Sequence, residues 1–494
     1  MKLYPFQKVV VDKFERTPSI LIGDDMGLGK TVEAIALDLR RRTTQLQGYR
    51  QSACKTLIIS PLSVLSSWER HIKTLWPAAN VAVINPKNRD DLVKKLSQPY
   101  HYYVIHWDAL RLMPELAEPT IVRWWHVIAD EVHRAKNRQS QQTVALKKIK
   151  TSYKTALSGT PADNAPQDLW SVLNWLYPRI WTSYWSFFRY FVKIQAHTAG
   201  HCMAEGCDKN HKRAFRKVIG VGNVEELHAA IEPYYLRRQK EEVLEDLPDK
   251  YYTTIEVELQ PRQRRIYNQM RDEMLAWVGK HDTEPVAAPI IVAQLTRLKQ
   301  FALAFAEIIT VNKWDNIKNE MVMVRKVKLS EPSSKLDALM ELIEDHPDKK
   351  FVVFSESKQI IELLCTRLIK AKVAYVSLTG DTPQSQRPKI IDEFQFGDAR
   401  IFAGTIQAGG EGITLTASST VVFLDRTWNP SKNKQAEDRC HRIGQQNAVE
   451  VIDIVAKDTV DGGRLQQIKL KWSWLRMLLG DKNAKVELEE AIAS

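Results

Sequence analysis

The stretch Ile20–Leu37, ILIGDDMGLGKTVEAIAL, constrains this chain more than any other. An apolar run (Ile20, Leu21, Ile22) ends in a turn of Gly23, Asp24, Asp25, Met26, Gly27, Leu28 and Gly29, and a helical pattern opens on Lys30 and Thr31. Strand, glycine-bearing loop and helix together let backbone N–H groups point at phosphate oxygens, with the helix N-terminus adding its dipole. Lys30 would reach the β- and γ-phosphates of a nucleotide, and the Thr31 hydroxyl would ligate magnesium. The strict pattern G-x-x-x-x-G-K-T has glycine where Asp24 stands. On this stretch alone an ordinary glycine turn competes with a phosphate loop, and motifs farther along decide between them.

Past this helix, short apolar runs alternate with helical patterns: Leu57–Ile59, Val81–Ile84, Tyr102–His106, His126–Asp130 and Tyr153–Leu157. Strands spaced by helices predict a doubly wound parallel sheet, whose ligands bind at the carboxyl ends of its strands. A second alternating set begins at Phe351–Ser355 and continues through Ala374–Leu378, Arg400–Ala403, Val421–Asp425 and Val449–Val455. The fold class expected is α/β, with two such lobes, since 494 residues exceed one core. The first lobe is placed at 1–245 with a helical, aromatic-rich insertion at 165–235. The second is placed at 246–480 with a helical insertion at 261–330, Ser330–Ser334 reads as a linker, and 481–494 is a tail.

Chemistry clusters at strand ends. Asp130 and Glu131 form an acidic pair at the tip of a buried run, which is costly unless a cation or partner meets it. Asp130 would hold magnesium, and Glu131 would orient or deprotonate an attacking water. Ser158, Gly159, Thr160 and Pro161 follow the next strand, where hydroxyls on a turn could sense a γ-phosphate. Gln7, some twenty residues before Lys30, has an amide able both to donate to and to accept from an adenine edge. In the second half, GTIQAGGEGITL carries Thr405, Gly409 and Gly410, and QAEDRCHRIGQQ carries Arg439 and Arg442. That half has no Lys-Thr phosphate loop, so its arginines make sense if they reach a nucleotide held by the first. A surface role for them is the competing reading.

Inside the first insertion, HTAGHCMAEGCDKNH holds His197, His201, Cys202, Cys207 and His211. Cys202, Cys207 and His211, with His201 or His197 as fourth ligand, would close a tetrahedral zinc site that staples the insertion. A hydrophilic loop with chance clustering is the alternative.

LYPFQ, DDMGLGKT, IISPLSVLSSWE, ADEVH, LSGTP, FVVFS, LTGD, AGGEGITLT, LDRTWNP and QAEDRCHRIGQ follow the motif order of superfamily 2 helicases. Trp428–Pro430 and the D-R-x-H-R-I-G-Q of Asp438–Gln445 resemble the Swi/Snf-type branch, as does Asp24 in the first loop position. Val132 and Cys440 vary within their motifs. The resemblance implies two RecA-like lobes and an ATPase stimulated by duplex DNA that translocates along it, generally without separating the strands. It implies a nucleotide side of Gln7, Asp24, Asp25, Met26, Gly27, Leu28, Gly29, Lys30, Thr31, Asp130, Glu131, Arg439 and Arg442. It also implies a DNA side in which Ser60, Pro61, Ser158, Gly159, Thr160, Thr405, Gly409 and Gly410 face the phosphates.

The formal charge of +12 suits a polyanionic partner. No run reaches ~20 apolar residues, so no membrane span is expected, and five scattered or clustered cysteines argue for a reducing compartment. MKLYPFQKVVVDKF has no signal-peptide pattern, and the expectation is a cytoplasmic monomer of bacterial or phage character, with a nuclear protein as the alternative. The function expected is an ATP- and magnesium-dependent motor on double-stranded DNA in replication, recombination or repair, alone or with a protein partner. Its rivals are a strand-separating DNA or RNA helicase and an ATP-gated DNA-binding scaffold.

Overall fold

The computed structural model describes residues 3–479 except 46–53, 85–93, 163–164, 198–199, 202–209, 212–214, 245, 282–286, 316–319 and 411. The chain divides into two compact units, the first built from Met1–Ile194, Val218–Leu247 and Leu470–Ser494, the second from Gln195–Lys217 and Pro248–Lys469.

In the first unit, strands β1 (Ser19–Ile22), β2 (Lys55–Ser60), β3 (Val81–Val83), β4 (Tyr102–His106), β5 (Trp124–Asp130) and β6 (Thr151–Leu157) form along the apolar runs. Strands β7 (Val192–His197), β8 (Gly200–His201), β9 (Asn210–His211) and β10 (Phe215–Val221) come next in the chain, with 195–217 falling in the second unit, and β11 (Tyr235–Leu236) completes the first unit's set. The main sheet is parallel throughout, in the order β11-β1-β6-β5-β2-β4-β3. Side chains alternate across each strand, so one strand feeds two cores. Leu21, Leu57, Ile59, Ile105, Val127 and Ala129 pack on one face, and Ile20, Ile22, Ile58, Val104, Ile128 and Leu157 on the other. Helices α1 (Pro5–Phe14), α2 (Lys30–Gln45) and α3 (Leu65–Leu75) cover the second face through Val10, Phe14, Ile35, Leu37, Trp68 and Ile72.

The second unit repeats the plan. Strands β12 (Lys250–Val257), β15 (Phe351–Ser355), β16 (Tyr375–Leu378), β17 (Ile401–Thr405), β18 (Thr420–Phe423) and β19 (Val449–Ala456) make a parallel sheet ordered β12-β19-β18-β15-β17-β16, with β13 (Phe305–Asp315) and β14 (Glu320–Ser330) outside it. Its two faces are again split by alternation: Phe351, Val353, Ile401 and Ala403 pack in one core, Val352, Phe354, Phe402 and Val421 in the other. The α/β class with two doubly wound parallel sheets is therefore what the chain adopts.

The insertions differ from expectation. Residues 165–235 are helical only in part: Asp168–Leu176, Tyr184–Phe191 and Val224–Ile231 are helices, but β7 and β10 pair as a ribbon. Its aromatics are mainly core, with Trp170, Trp175, Trp181, Phe187 and Phe191 buried, whereas Trp185 and Tyr190 are exposed. In the second insertion, helices Pro261–His281 and Ala287–Leu303 form as expected. The following β13 (Phe305–Asp315) and β14 (Glu320–Ser330) are an antiparallel hairpin, where alternating Val, Ile and Met favour the pleat over a helix. Ser333 and Ser334 are buried, and the Ser333 hydroxyl caps the helix Ser334–Asp345, so this stretch is a built turn rather than a loose linker.

A polar network lies inside the first unit between α2 and β5. Asp38 accepts from Arg42 Nε (2.7 Å), Tyr102 Oη (2.8 Å), Thr56 Oγ1 (3.0 Å) and His126 Nδ1 (2.8 Å). His126 Nε2 lies 2.8 Å from Thr155 Oγ1 and 3.3 Å from Arg41 Nη1. Burial alone would raise Asp38, but Arg42 and His126 outweigh it and hold the carboxyl below its usual range. Burial pulls His126 down to about 4, Asp38 opposing. A histidine held neutral in the fold contributes stability above its free value of 6.5 and loses it as pH falls toward 4, because only the unfolded chain then takes up the proton. Urea unfolding at pH 7 and pH 5 is expected to differ by about 2 kcal/mol through this residue, and His126→Gln should remove most of that difference.

Candidate functional site

The phosphate loop forms where β1 meets α2. Gly27 and Gly29 have φ of 94° and 86°, a left-handed backbone that a side chain disfavours. At Gly29 a Cβ would also stand 2.6 Å from Gln7 Nε2. Gln7 is buried, donates from Nε2 to Leu28 O (3.0 Å) and accepts at Oε1 from Tyr4 N (3.1 Å), so its amide fastens α1 to the loop. Lys30 Nζ donates to Asp24 O (2.6 Å) and Asp25 O (3.0 Å), a cradle of carbonyls within the loop itself. Leu28 is buried, Met26 nearly so, and Thr31 half-buried at the helix start.

Two carboxylates in a loop suited to anions require cations, and two successive arginines supply them. β11 runs parallel to β1 with Leu21 opposite Tyr235 and Ile22 opposite Leu236. The pairing continues through Gly23 N to Leu236 O (2.7 Å) and Asp25 N to Arg238 O (3.0 Å). Arg238 binds the buried Asp24 through its backbone N (3.0 Å), Nε and Nη2, and Nη2 also meets Glu33 Oε1 (2.6 Å). Burial, with Asp24 beside it, pushes Glu33 up to about 8, Arg238 opposing. Arg237 donates Nη1 to Gly23 O (2.8 Å) and Gly159 O (3.0 Å), and Nη2 to Asp25 Oδ1 (3.2 Å).

The acidic pair stands at the tip of β5. Asp130 Oδ2 accepts from Trp68 Nε1 (2.9 Å), Oδ1 from Glu131 N (3.0 Å), and its carbonyl from Trp107 Nε1 (2.8 Å). Burial first and then Glu131 push Asp130 up to about 7, with Trp68 and the Lys30 charge opposing. A carboxyl so raised is one that a divalent cation would return to its ionised form, and Asp130 and the Thr31 hydroxyl are the hard oxygen donors that suit magnesium. Glu131 has φ of 49°, a conformation that costs a residue with a side chain about 1–2 kcal/mol. Its Oε2 lies 3.3 Å from His133 Nδ1, which is also 3.2 Å from Ser158 Oγ, and Ser158 Oγ accepts from Thr160 N (3.2 Å). Arg237 thus bonds the loop to the Ser-Gly-Thr-Pro turn, and His133 stands between that turn and the acidic pair.

The residues expected to face DNA are placed less openly. Ser60, Pro61, Ser158 and Thr160 are buried in the first unit. In the second unit Thr405 starts the short helix Ile406–Gly409, and Gly409 lies against Phe354, where a Cβ would come within 2.4 Å of the ring. A Cβ at Gly410 would meet Ile406 O at 2.6 Å. Arg439 and Arg442 share one acceptor, Ile413 O, each from Nη1 at 3.2 Å, and Arg442 Nη1 also reaches Thr414 Oγ1 (3.0 Å). Burial and the Arg439 charge pull Arg442 down to about 10, Asp438 opposing. A guanidinium resting on neutral oxygens beside a like charge is stabilised by any arriving anion.

Cys202 and Cys207, and the side chains of His201, His211 and His197, lie outside the described residues. Among the described residues no group of three or more His, Cys, Asp or Glu is placed to hold a metal by itself, and no helix is long and apolar enough to cross a membrane.

Sequence reading missed Arg237, Arg238, Trp68, Trp107 and His133. The signal for the arginines was the charge of Asp24 and Asp25, which demands a partner that the loop does not contain.

Residues 8–313 match the SNF2-related domain and residues 334–444 the helicase conserved C-terminal domain. The chain is 27% identical over 463 residues to the transcription regulatory protein SNF2 of Saccharomyces cerevisiae, covering 92% of this chain and 26% of that protein. It is 26% identical over 498 residues to the chromodomain-helicase-DNA-binding protein 8 of Danio rerio, covering 94% and 18%. An uncharacterised ATP-dependent helicase of Mycoplasma pneumoniae is 28% identical over 449 residues, covering 89% and 38%. The chain therefore spans well under half the length of these curated relatives. Among solved structures, the SWI2/SNF2 ATPase core of Sulfolobus solfataricus in complex with dsDNA is 26% identical over 100% of this chain and 95% of that one, with a TM-score of 0.42.

Proposed function

The chain belongs to the SNF2-related family, and from that premise we propose that it is a DNA-dependent ATPase that translocates on duplex DNA. The observation that supports this best is the gathering of phosphate loop, acidic pair and Ser-Gly-Thr-Pro turn at neighbouring strand ends of the first unit. In this reading Lys30 leaves the loop carbonyls for the β- and γ-phosphates, and the amides of Gly27 to Thr31 cradle them. Gln7 holds the loop and offers its remaining amide proton to the base. Magnesium, held by Thr31 and Asp130, would neutralise charge on the phosphates. Glu131, oriented by His133, accepts a proton from the attacking water, and Arg439 and Arg442 meet the charge on the transferring phosphoryl group.

Ser60, Pro61, Ser158–Thr160, Thr405 and Gly409–Gly410 are proposed to present backbone groups, rather than hydroxyls, to DNA phosphates, since their side chains are buried or absent. Contacts of that kind position the protein without reading sequence. Replication, recombination or repair is the proposed setting, whereas the yeast relative bears the name of a transcription regulator.

The decisive measurement compares ATP turnover with duplex DNA, single-stranded DNA and RNA. Duplex is expected to stimulate most, with the stimulation falling steeply as salt rises. Displacement of a third strand from a triplex, without separation of a tailed duplex, is the expected motor signature. Strand separation would favour a helicase, and turnover without displacement a clamp.

A further inference from the structure

The segment that leaves the first unit's sheet does more than neutralise the loop. Arg237 follows β11 and its side chain is 6% exposed. One of its nitrogens, Nη1, donates to two backbone carbonyls from segments far apart in sequence: Gly23 at the start of the phosphate loop and Gly159 in the Ser-Gly-Thr-Pro turn. The two segments already approach closely, since a Cβ on Gly159 would stand 3.0 Å from Met26 Cγ and 3.3 Å from Asp24 O. Next to Gly159, Ser158 Oγ lies 3.2 Å from His133 Nδ1, which stands 3.3 Å from Glu131 Oε2. The other nitrogen, Nη2, binds Asp25, whose second carboxylate oxygen takes Lys240 N at 3.4 Å.

We propose that Arg237 is a positioning residue for ATP hydrolysis, whose fork ties the phosphate loop to the turn that orients Glu131. This deepens the ATPase reading and rests on it. The physical reason is that both loop and turn are irregular backbone. The ladder of β1 and β6 ends at Ser158 N to Ile22 O (3.2 Å), beyond which Arg237 is a donor that loop and turn share, and small relative displacements of nucleotide and base cost rate steeply. A planar guanidinium reaches two carbonyls and a carboxylate together, whereas an ammonium is a point charge on a flexible stem. Arg237 touches neither nucleotide nor water in this account, so its loss lowers the rate of the chemical step more than the grip on ATP.

The test uses the full chain with magnesium, ATP and duplex DNA. Arg237→Gln is expected to lower kcat by about tenfold or more while KM for ATP and Kd for ADP each stay within about threefold. Arg237→Lys restores the charge beside Asp25 but not the fork, and is expected to show the same split. It also serves should the glutamine variant fail to fold. Asp25→Asn combined with Arg237→Gln removes the charge imbalance and is expected not to recover kcat.

Turnover in either variant within twofold of the parent would overturn the proposal. So would recovery by Arg237→Lys or by Asp25→Asn, which would make the arginine a counter-charge only. A rise in KM at unchanged kcat would make it part of nucleotide binding instead. Absence of turnover in the unsubstituted chain would sink the ATPase reading itself, an outcome distinct from all of these.

Discussion

Glu131→Gln is expected to lower ATP turnover by about 10³ while ATP binding persists, the loss typical of removing a positioned general base. The substitution keeps the side chain's shape and its place at the tip of β5, and it removes only the capacity to take a proton. The backbone there is held in a left-handed conformation, and His133 Nδ1 stands 3.3 Å from the carboxylate. Strain of this kind persists where surrounding structure over-determines it, here through the bond from Glu131 N to Asp130 Oδ1 and the histidine link to Ser158. Lys30→Ala provides the contrast, since it should abolish turnover through the phosphates while DNA binding is largely retained. Single-turnover hydrolysis with equilibrium ATP binding checks both. Full activity in Glu131→Gln would transfer the base to another group.

Arg442→Ala is expected to lower kcat by about 10³ or more, within the range that an arginine meeting transition-state charge contributes, with a smaller effect on ATP affinity. In the second unit its guanidinium rests on Ile413 O and Thr414 Oγ1, and Arg439 shares the first of these. The two acids directly before Arg439 are matched elsewhere: Glu437 by Arg426 Nη1 at 2.7 Å and Lys250 at 3.2 Å, and Asp438 by Lys250 at 3.4 Å. Burial and the Arg439 charge pull Arg442 down to about 10, and an arriving anion would offset both. Arg442→Lys should not restore the rate, because the planar fork is lost with the substitution. A change confined to KM would instead place Arg442 on the ground-state nucleotide.

Local pattern reached far into this protein. Glycine at 27 and 29, apolar runs of strand length and the spacing of Lys30 and Thr31 behind them are written in neighbouring residues, and positive φ and strands buried on both faces follow from them directly. The two sheets, the phosphate loop and the acidic strand end were legible for that reason. β12 escaped notice because it is an edge strand with Tyr251, Tyr252, Thr254 and Glu256 exposed and no continuous apolar run.

What tertiary structure alone decided is who neutralises whom. Arg238 lies 214 positions from Asp24, and Trp68 lies 62 from Asp130. No window of sequence joins them. The register of β11 on β1 does so, because a parallel pair continues into whatever residues come next, and here those are two acids on one strand and two arginines on the other. The amino-acid order determined that a phosphate loop would form, while the pairing of distant strands determined that a loop carrying two negative charges could be stable beside an anion.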